Sequence, residues 1–198
     1  MSKLKIAVLA SGGGSNLQAL IDAIGCGSIN GQIDLVITDR IDAYAMHRAE
    51  SHGIAAICID RKAYSNKADF DLQLMNNLNE VHPDLIILAG YLSILSVELT
   101  HKYQGKIINI HPSLLPAFGG KGFYGHKVHK AVIENGAKVS GATVHFVDEN
   151  TDTGPIILQE AVEVLEDDTP EALAKRVLTV EHRLIVQAAR LFCDKRLT

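Results

Sequence analysis

KIAVLASGGGSNLQAL, residues 5–20, reads in order as a strand, a glycine loop and the opening of a helix. Lys5 to Ala10 is a short apolar run with no polar alternation, the pattern of a strand covered on both faces. Ser11-Gly12-Gly13-Gly14-Ser15 breaks that run, and a stretch of helical period follows from Asn16. A strand that is apolar on both sides and turns straight into a helix is the first unit of an open α/β sheet.

The same alternation continues outward. Ile33 to Thr38, Ala56 to Ile59, Leu85 to Ala89 and Ile107 to Ile110 are further strand candidates, separated by segments from Ala43, Lys67 and Ser96 long enough to be crossover helices. Gly25 and Gly53 follow the first two helical stretches, where a left-handed C-cap is needed. After Ile110 the pattern changes to a Gly- and Pro-rich passage from Pro112 to Gly125 and a helix near Lys127 to Glu134. An alternating run from Ser140 to Val147 and an apolar run from Pro155 to Val164, joined by Asp148 to Gly154, then form a hairpin. Thr169-Pro170-Glu171 places a cap, a first-turn proline and an acid ahead of a last helix reaching about Phe192. The expected fold is α/β: one domain over 1–198, with an open, mostly parallel, twisted Rossmann-like sheet, helices on both faces and an antiparallel C-terminal edge.

Composition narrows the function. At 198 residues and 47% hydrophobic content the chain can bury one sizeable core. A net charge of -4 with no block of like charge argues against nucleic-acid or membrane-surface binding and favours small-molecule ligands. Cys26, Cys58 and Cys193 are odd in number and widely spaced, which fits neither a disulfide framework nor a zinc knuckle. The N-terminus from Met1 to Lys5 shows no signal-peptide pattern, so the chain reads as cytoplasmic.

Two stretches carry chemistry. Ser11 to Asn16 follows the first strand and opens the first helix, where backbone N–H groups and the helix dipole can hold a phosphate. Leu17 stands at the third glycine position of a dinucleotide fingerprint, and no Lys-Ser or Lys-Thr follows the glycines, so both familiar nucleotide motifs fail. The alternative is a tight turn and nothing more. The second stretch, Asn109-Ile110-His111-Pro112-Ser113, lies where the fifth strand ends, the edge at which open α/β sheets bind ligands. Alternation sends Asn109 and His111 the same way, so an amide and an imidazole can polarise one carbonyl. Asp152, in the hairpin loop, is a carboxylate expected to raise the His111 pKa and to take up the proton lost by an attacking amine. The alternative there is a capped turn and a packed histidine.

The other histidines carry weaker signals. His126 and His129 lack a third metal ligand of matching spacing and read as surface or gating groups; His145 reads as support for the site or as packing. His47, His52, His82, His101 and His182 read as solvated groups without converging partners. Phe118 to Tyr124 reads as a mobile lid or an irregular surface loop.

The motifs SGGGSNLQAL, LAGYLSIL, NIHPSLLPAFGGKG, HFVDENTDTGPIILQ and VEHRLIVQ, in this order and spacing, closely resemble the phosphoribosylglycinamide formyltransferase family over essentially the whole chain. The resemblance implies transfer of a formyl group from 10-formyltetrahydrofolate, a co-substrate, to the amine of glycinamide ribonucleotide, with no metal and with a homodimer left open. It implies Asn109, His111 and Asp152 as catalytic residues. Gly14, Ser15, Asn16 and Leu17 would hold the phosphate and ribose side, with Lys106 a further phosphate contact and Glu181 at the glycinamide end. Lys67, Leu92, Ser93, Ile94, Leu95, Asn109 and Asp148 would form the folate site. On this reading the N-terminal half binds the ribonucleotide and the C-terminal half binds folate and carries the chemistry. Ser93 replaces an arginine found in some relatives, and Lys67 stands where an arginine is common. The other readings to be separated are formyltetrahydrofolate hydrolysis and a non-catalytic phosphate-ligand sensor.

Overall fold

The structure is a computed structural model that describes residues 3–195. Met1 and Ser2, from the stretch read for targeting, lie outside the described residues. Seven strands form one sheet in the order β3-β2-β1-β4-β5-β6-β7. They are β1 (Leu4–Ala10), β2 (Gly31–Thr38), β3 (Ala56–Cys58), β4 (Leu85–Leu88), β5 (Ile107–His111), β6 (Val139–Phe146) and β7 (Ile156–Glu163). The first five pair in parallel and the last two add antiparallel. The helices are α1 (Ser15–Gly25), α2 (Ala45–Ser51), α3 (Lys67–Val81), α4 (Val97–Lys102), α5 (His126–Glu134) and α6 (Pro170–Cys193). The expected α/β class, strand set and antiparallel edge are all present.

Strand alternation sorts the core into two layers. Ile6, Val8 and Ala10 of β1, with Leu85 and Ile87 of β4 and Ile108 and Ile110 of β5, face α1, α5 and α6. Ala7, Leu9, Ile86, Leu88 and Ile107 face the other way, against Phe70, Leu74 and Leu78 of α3 and Leu99 of α4. On this second face one register line runs Ile37, Leu9, Leu88, Asn109, His145 across β2, β1, β4, β5 and β6. The line is apolar under α3 and α4 and turns polar at β5 and β6. That change from apolar to polar positions the site.

Helix ends follow local chemistry. Asn66, Ser96 and Thr169 each cap a helix by accepting a backbone N–H, at α3, α4 and α6. By contrast α1 has Gly14 at its N-cap with φ 68 and ψ 30 and no side-chain cap, so its first N–H groups stay available. The expected C-cap at Gly25 is corrected: Gly25 is still helical, and the left-handed residue is Gly27 at φ 77. The Ser28 N–H reaches the Ala23 carbonyl at 2.9 Å, which requires the turn two residues later than the glycine pattern suggested. Gly53 does adopt the left-handed conformation, at φ 68.

Candidate active site

A cavity of about 440 Å³ opens at the carboxyl edge, over the polar end of the second sheet face. Asn109, His111 and His145 line its floor, Leu92 to Leu95 one wall, Asp148 to Asp152 the opposite wall, and Gly120 to Gly125 a strap across it. The strap is tied to the site, because the Gly120 N–H donates to Asp152 Oδ2 at 2.9 Å.

Asp152 is the hub of the polar cluster. Its Oδ2 lies 3.6 Å from His111 Nδ1 and its Oδ1 3.6 Å from His145 Nε2. It also holds a left-handed backbone at φ 60, a conformation that aspartate tolerates better than most side chains. His111 is 4% exposed, and its Nε2 lies 2.9 Å from the Phe118 carbonyl, which fixes Nε2 as the N–H donor. His145 Nδ1 donates to the Phe146 carbonyl at 2.7 Å, leaving Nε2 to accept from Asn109 Nδ2 at 3.1 Å. The Asn109 amide is therefore oriented by a histidine whose tautomer the backbone sets.

The electrostatics correct one expectation. Burial lowers the His111 pKa and outweighs the opposing effects of the Asp152 charge and the Phe118 carbonyl, so the net shift is downward rather than upward. Burial pulls the Asp152 carboxyl upward, yet His145 and His111, whenever either ring is protonated toward it, and the Gly120 N–H together leave it lowered. At neutral pH the site thus holds a neutral imidazole facing a carboxylate.

The structure brings most of the other proposed ligand-binding residues to this edge. Asn16 Nδ2 donates to Glu181 Oε2 at 2.8 Å, joining α1 to α6 beside the glycine loop. Burial raises the Glu181 pKa against the opposing bond from Asn16. Leu17 is fully buried in the core, so only its backbone can face a ligand. Lys106 does not join this group: it precedes β5 at the amino edge of the sheet, bonding back to Tyr103, while the glycine loop lies at the carboxyl edge. The resemblance gave Lys106 a role that the strand direction denies it. Lys67 starts α3 and pairs with Asp71 at 2.5 Å, outside the cavity lining. Ser93 donates to the buried Asp39 at 2.6 Å and so holds the wall from behind.

Three further pairings escaped the sequence reading. His145 against Asn109 follows from strand register alone and was legible only as alternation. His101 pairs with Glu149 at 3.3 Å across α4 and the hairpin loop, so it has a partner after all. His126 is a surface group paired with Glu171 at 2.7 Å, whereas His129 is buried, at 4% exposure, and not a surface group. Burial holds the His129 imidazole down at about 4, from an ordinary 6.5. Because the unfolded chain binds that proton first, stability should fall as pH drops from 6.5 to about 4. Thermal melts across this window, compared with His129→Gln, should show a flatter pH dependence in the variant; an equal slope would remove the assignment. Among the described residues no helix is long and apolar enough to cross a membrane, and no His, Cys, Asp and Glu group is arranged to hold a metal.

An amide, an imidazole and a carboxylate thus meet at the open carboxyl edge of an α/β sheet, beside a cavity of ligand size. A family model described as Formyl transferase matches residues 4–189. The chain belongs to the formyl transferase family. Within it, the chain is 46% identical over 195 residues to the chloroplastic phosphoribosylglycinamide formyltransferase of Arabidopsis thaliana, covering 98% of this chain and 66% of that protein. It is 38% identical over 194 residues to the Escherichia coli phosphoribosylglycinamide formyltransferase, covering 98% of this chain and 89% of that one. The crystal structure of glycinamide ribonucleotide transformylase 1 from Symbiobacterium toebii superposes with a TM-score of 0.93 at 44% identity, over 100% of this chain and 91% of that one. The chain thus spans slightly under two thirds of its plant relative and most of its bacterial ones.

Proposed function

We propose that the protein transfers the formyl group of 10-formyltetrahydrofolate to the amine of glycinamide ribonucleotide. The observation that carries this reading is the convergence of Asn109, His111 and Asp152 on one cavity at the sheet edge that also carries the glycine loop. The relatives named above support it. The glycine loop would hold the ribonucleotide phosphate, and the cavity between Leu92 to Leu95 and Asp148 to Asp152 would hold the folate, so both halves of the chain contribute to the folate site. The apolar wall of Leu92, Ile94 and Leu95, with Asp148 opposite, suits a flat heteroaromatic ring with polar edges.

In the reaction the amine lone pair attacks the formyl carbon and the carbonyl π electrons move to oxygen. Asn109 has one N–H engaged by His145 and a second free to donate to that oxyanion. Neutral His111, with its proton on Nε2, can accept the amine proton at Nδ1, where Asp152 steadies the imidazolium. The proton then passes to N10 as the C–N10 bond breaks, releasing tetrahydrofolate and the formylated amine. This gives His111 the role of proton carrier in place of a resting cation. It follows that kcat should be lost on the acid side, below the ordinary histidine value of 6.5, as the lowered His111 imidazole protonates. A pH–rate profile that rises on acidification would reverse the assignment.

The deciding assay follows folate release from 10-formyltetrahydrofolate with and without glycinamide ribonucleotide. Turnover that requires the ribonucleotide and yields formylglycinamide ribonucleotide supports transfer. Ribonucleotide-independent formate release would instead make the chain a hydrolase, and absence of turnover a sensor.

A further inference from the structure

The carbonyls of the glycine loop are gripped from one side by α2. The Gly12 carbonyl accepts from the Ala45 N–H at 3.1 Å, and the Gly13 carbonyl accepts from Arg48 Nε at 2.7 Å. Across a trans peptide the C=O of one residue and the N–H of the next point in opposite directions. Holding these two carbonyls against α2 therefore turns the Gly13 and Gly14 N–H groups away from it, and no hydrogen bond within the described residues takes either of them. The left-handed Gly14, at φ 68, then curves the chain so that successive N–H groups form a concave row of donors, the arrangement that binds anions.

Arg48 is fixed for this task. Its Nη1 donates to Gln18 Oε1 at 3.1 Å, and its guanidinium stands 5.1 Å from the Tyr44 ring centroid. Its Cδ would lie 3.3 Å from a Cβ at Gly14, so stem and loop are in contact, while a Cβ at Gly12 or Gly13 would meet open space. A second sign of a ligand adjoins the loop: Asn16 is 6% exposed, yet its Oδ1 has no partner. A buried acceptor left unmatched on the first turn of α1 suits a hydroxyl next to the bound anion.

We propose that Arg48 is a positioning residue for the substrate phosphate, holding the Gly13–Gly14 peptide with its N–H toward the ligand and placing a positive charge behind it. The inference rests on the phosphate reading of the glycine loop. Arg48→Met keeps the aliphatic stem and removes the donor, whereas Arg48→Lys retains a donor and the charge. In Arg48→Met the KM for glycinamide ribonucleotide should rise about tenfold or more, with kcat, the folate KM and Tm unchanged. Arg48→Lys should recover most of the loss. Calorimetric titration with inorganic phosphate and with ribose 5-phosphate, in the absence of folate, should give the same order of affinities. An Arg48→Met protein that binds these probes as wild type does would overturn the assignment of Arg48 and leave the phosphate reading standing. Joint shifts of both KM values, kcat and Tm would reduce Arg48 to a structural role. Wild-type protein that takes up neither probe would defeat the phosphate reading itself, and this assignment with it.

Discussion

Replacing His111 by alanine is expected to lower kcat by about a thousandfold, because it removes the group that takes the amine proton at Nδ1 and passes it to N10. The side chain is buried and shares its cluster with Asp152 and His145, so water cannot freely take its place. Binding should survive, since the apolar wall of Leu92, Ile94 and Leu95 and the glycine loop are built on other elements. Asp152→Asn should cost a comparable factor, and the double variant little more than either single one, because both residues act on one proton. Single-turnover measurements at saturating substrates separate the chemical step from binding. A His111→Ala enzyme within about tenfold of wild type would assign the chemistry elsewhere in the cavity.

Gly154→Ala should be the most damaging substitution outside the cavity, costing about 3 kcal/mol or more of stability. A Cβ there would stand 1.9 Å from the Phe146 carbonyl oxygen, a backbone atom that cannot rotate away. The same carbonyl accepts the His145 Nδ1–H, and His145 in turn accepts from Asn109. Displacing it should therefore weaken the fold and loosen the Asn109 amide together, lowering kcat in whatever protein remains folded. Gly25→Ala is the matched control. It is helical with open space around the new Cβ, and should be neutral or stabilising by up to about 1 kcal/mol. Denaturant midpoints for the two variants test the contrast; equal midpoints would show that the Phe146–Gly154 contact relaxes at no cost.

The sheet was legible residue by residue because a strand buried on both faces has few alternatives. Runs such as Lys5 to Ala10 and Leu85 to Ala89 are too short for helices and too apolar for loops, and each became a strand with ends within two residues. Asn109 and His111 were legible as a pair because period-two alternation is a local rule. Asp152 was legible as a carboxylate in the hairpin loop, but a loop residue has no periodicity to fix where it points, and only the structure gives its 3.6 Å approach to both His111 and His145. Lys106 shows the opposite failure: a motif position suggested a phosphate contact, and the direction of β5 carried it to the far edge of the sheet.

Local sequence was enough for the α/β class, the strand-loop-helix unit at the N-terminus, the shared face of Asn109 and His111, and the family. Those properties follow from local periodicity, turn chemistry and motif spacing, all of which are properties of consecutive residues. The tertiary structure alone decided that His145 orients Asn109, that α2 grips the glycine loop through Ala45 and Arg48, and that His129 lies in the interior. It also decided the sign of the His111 shift, because that sign is a contest between burial and a charge 3.6 Å away. Both quantities depend on which distant segments pack together, and neither is encoded in the neighbours of His111 along the chain.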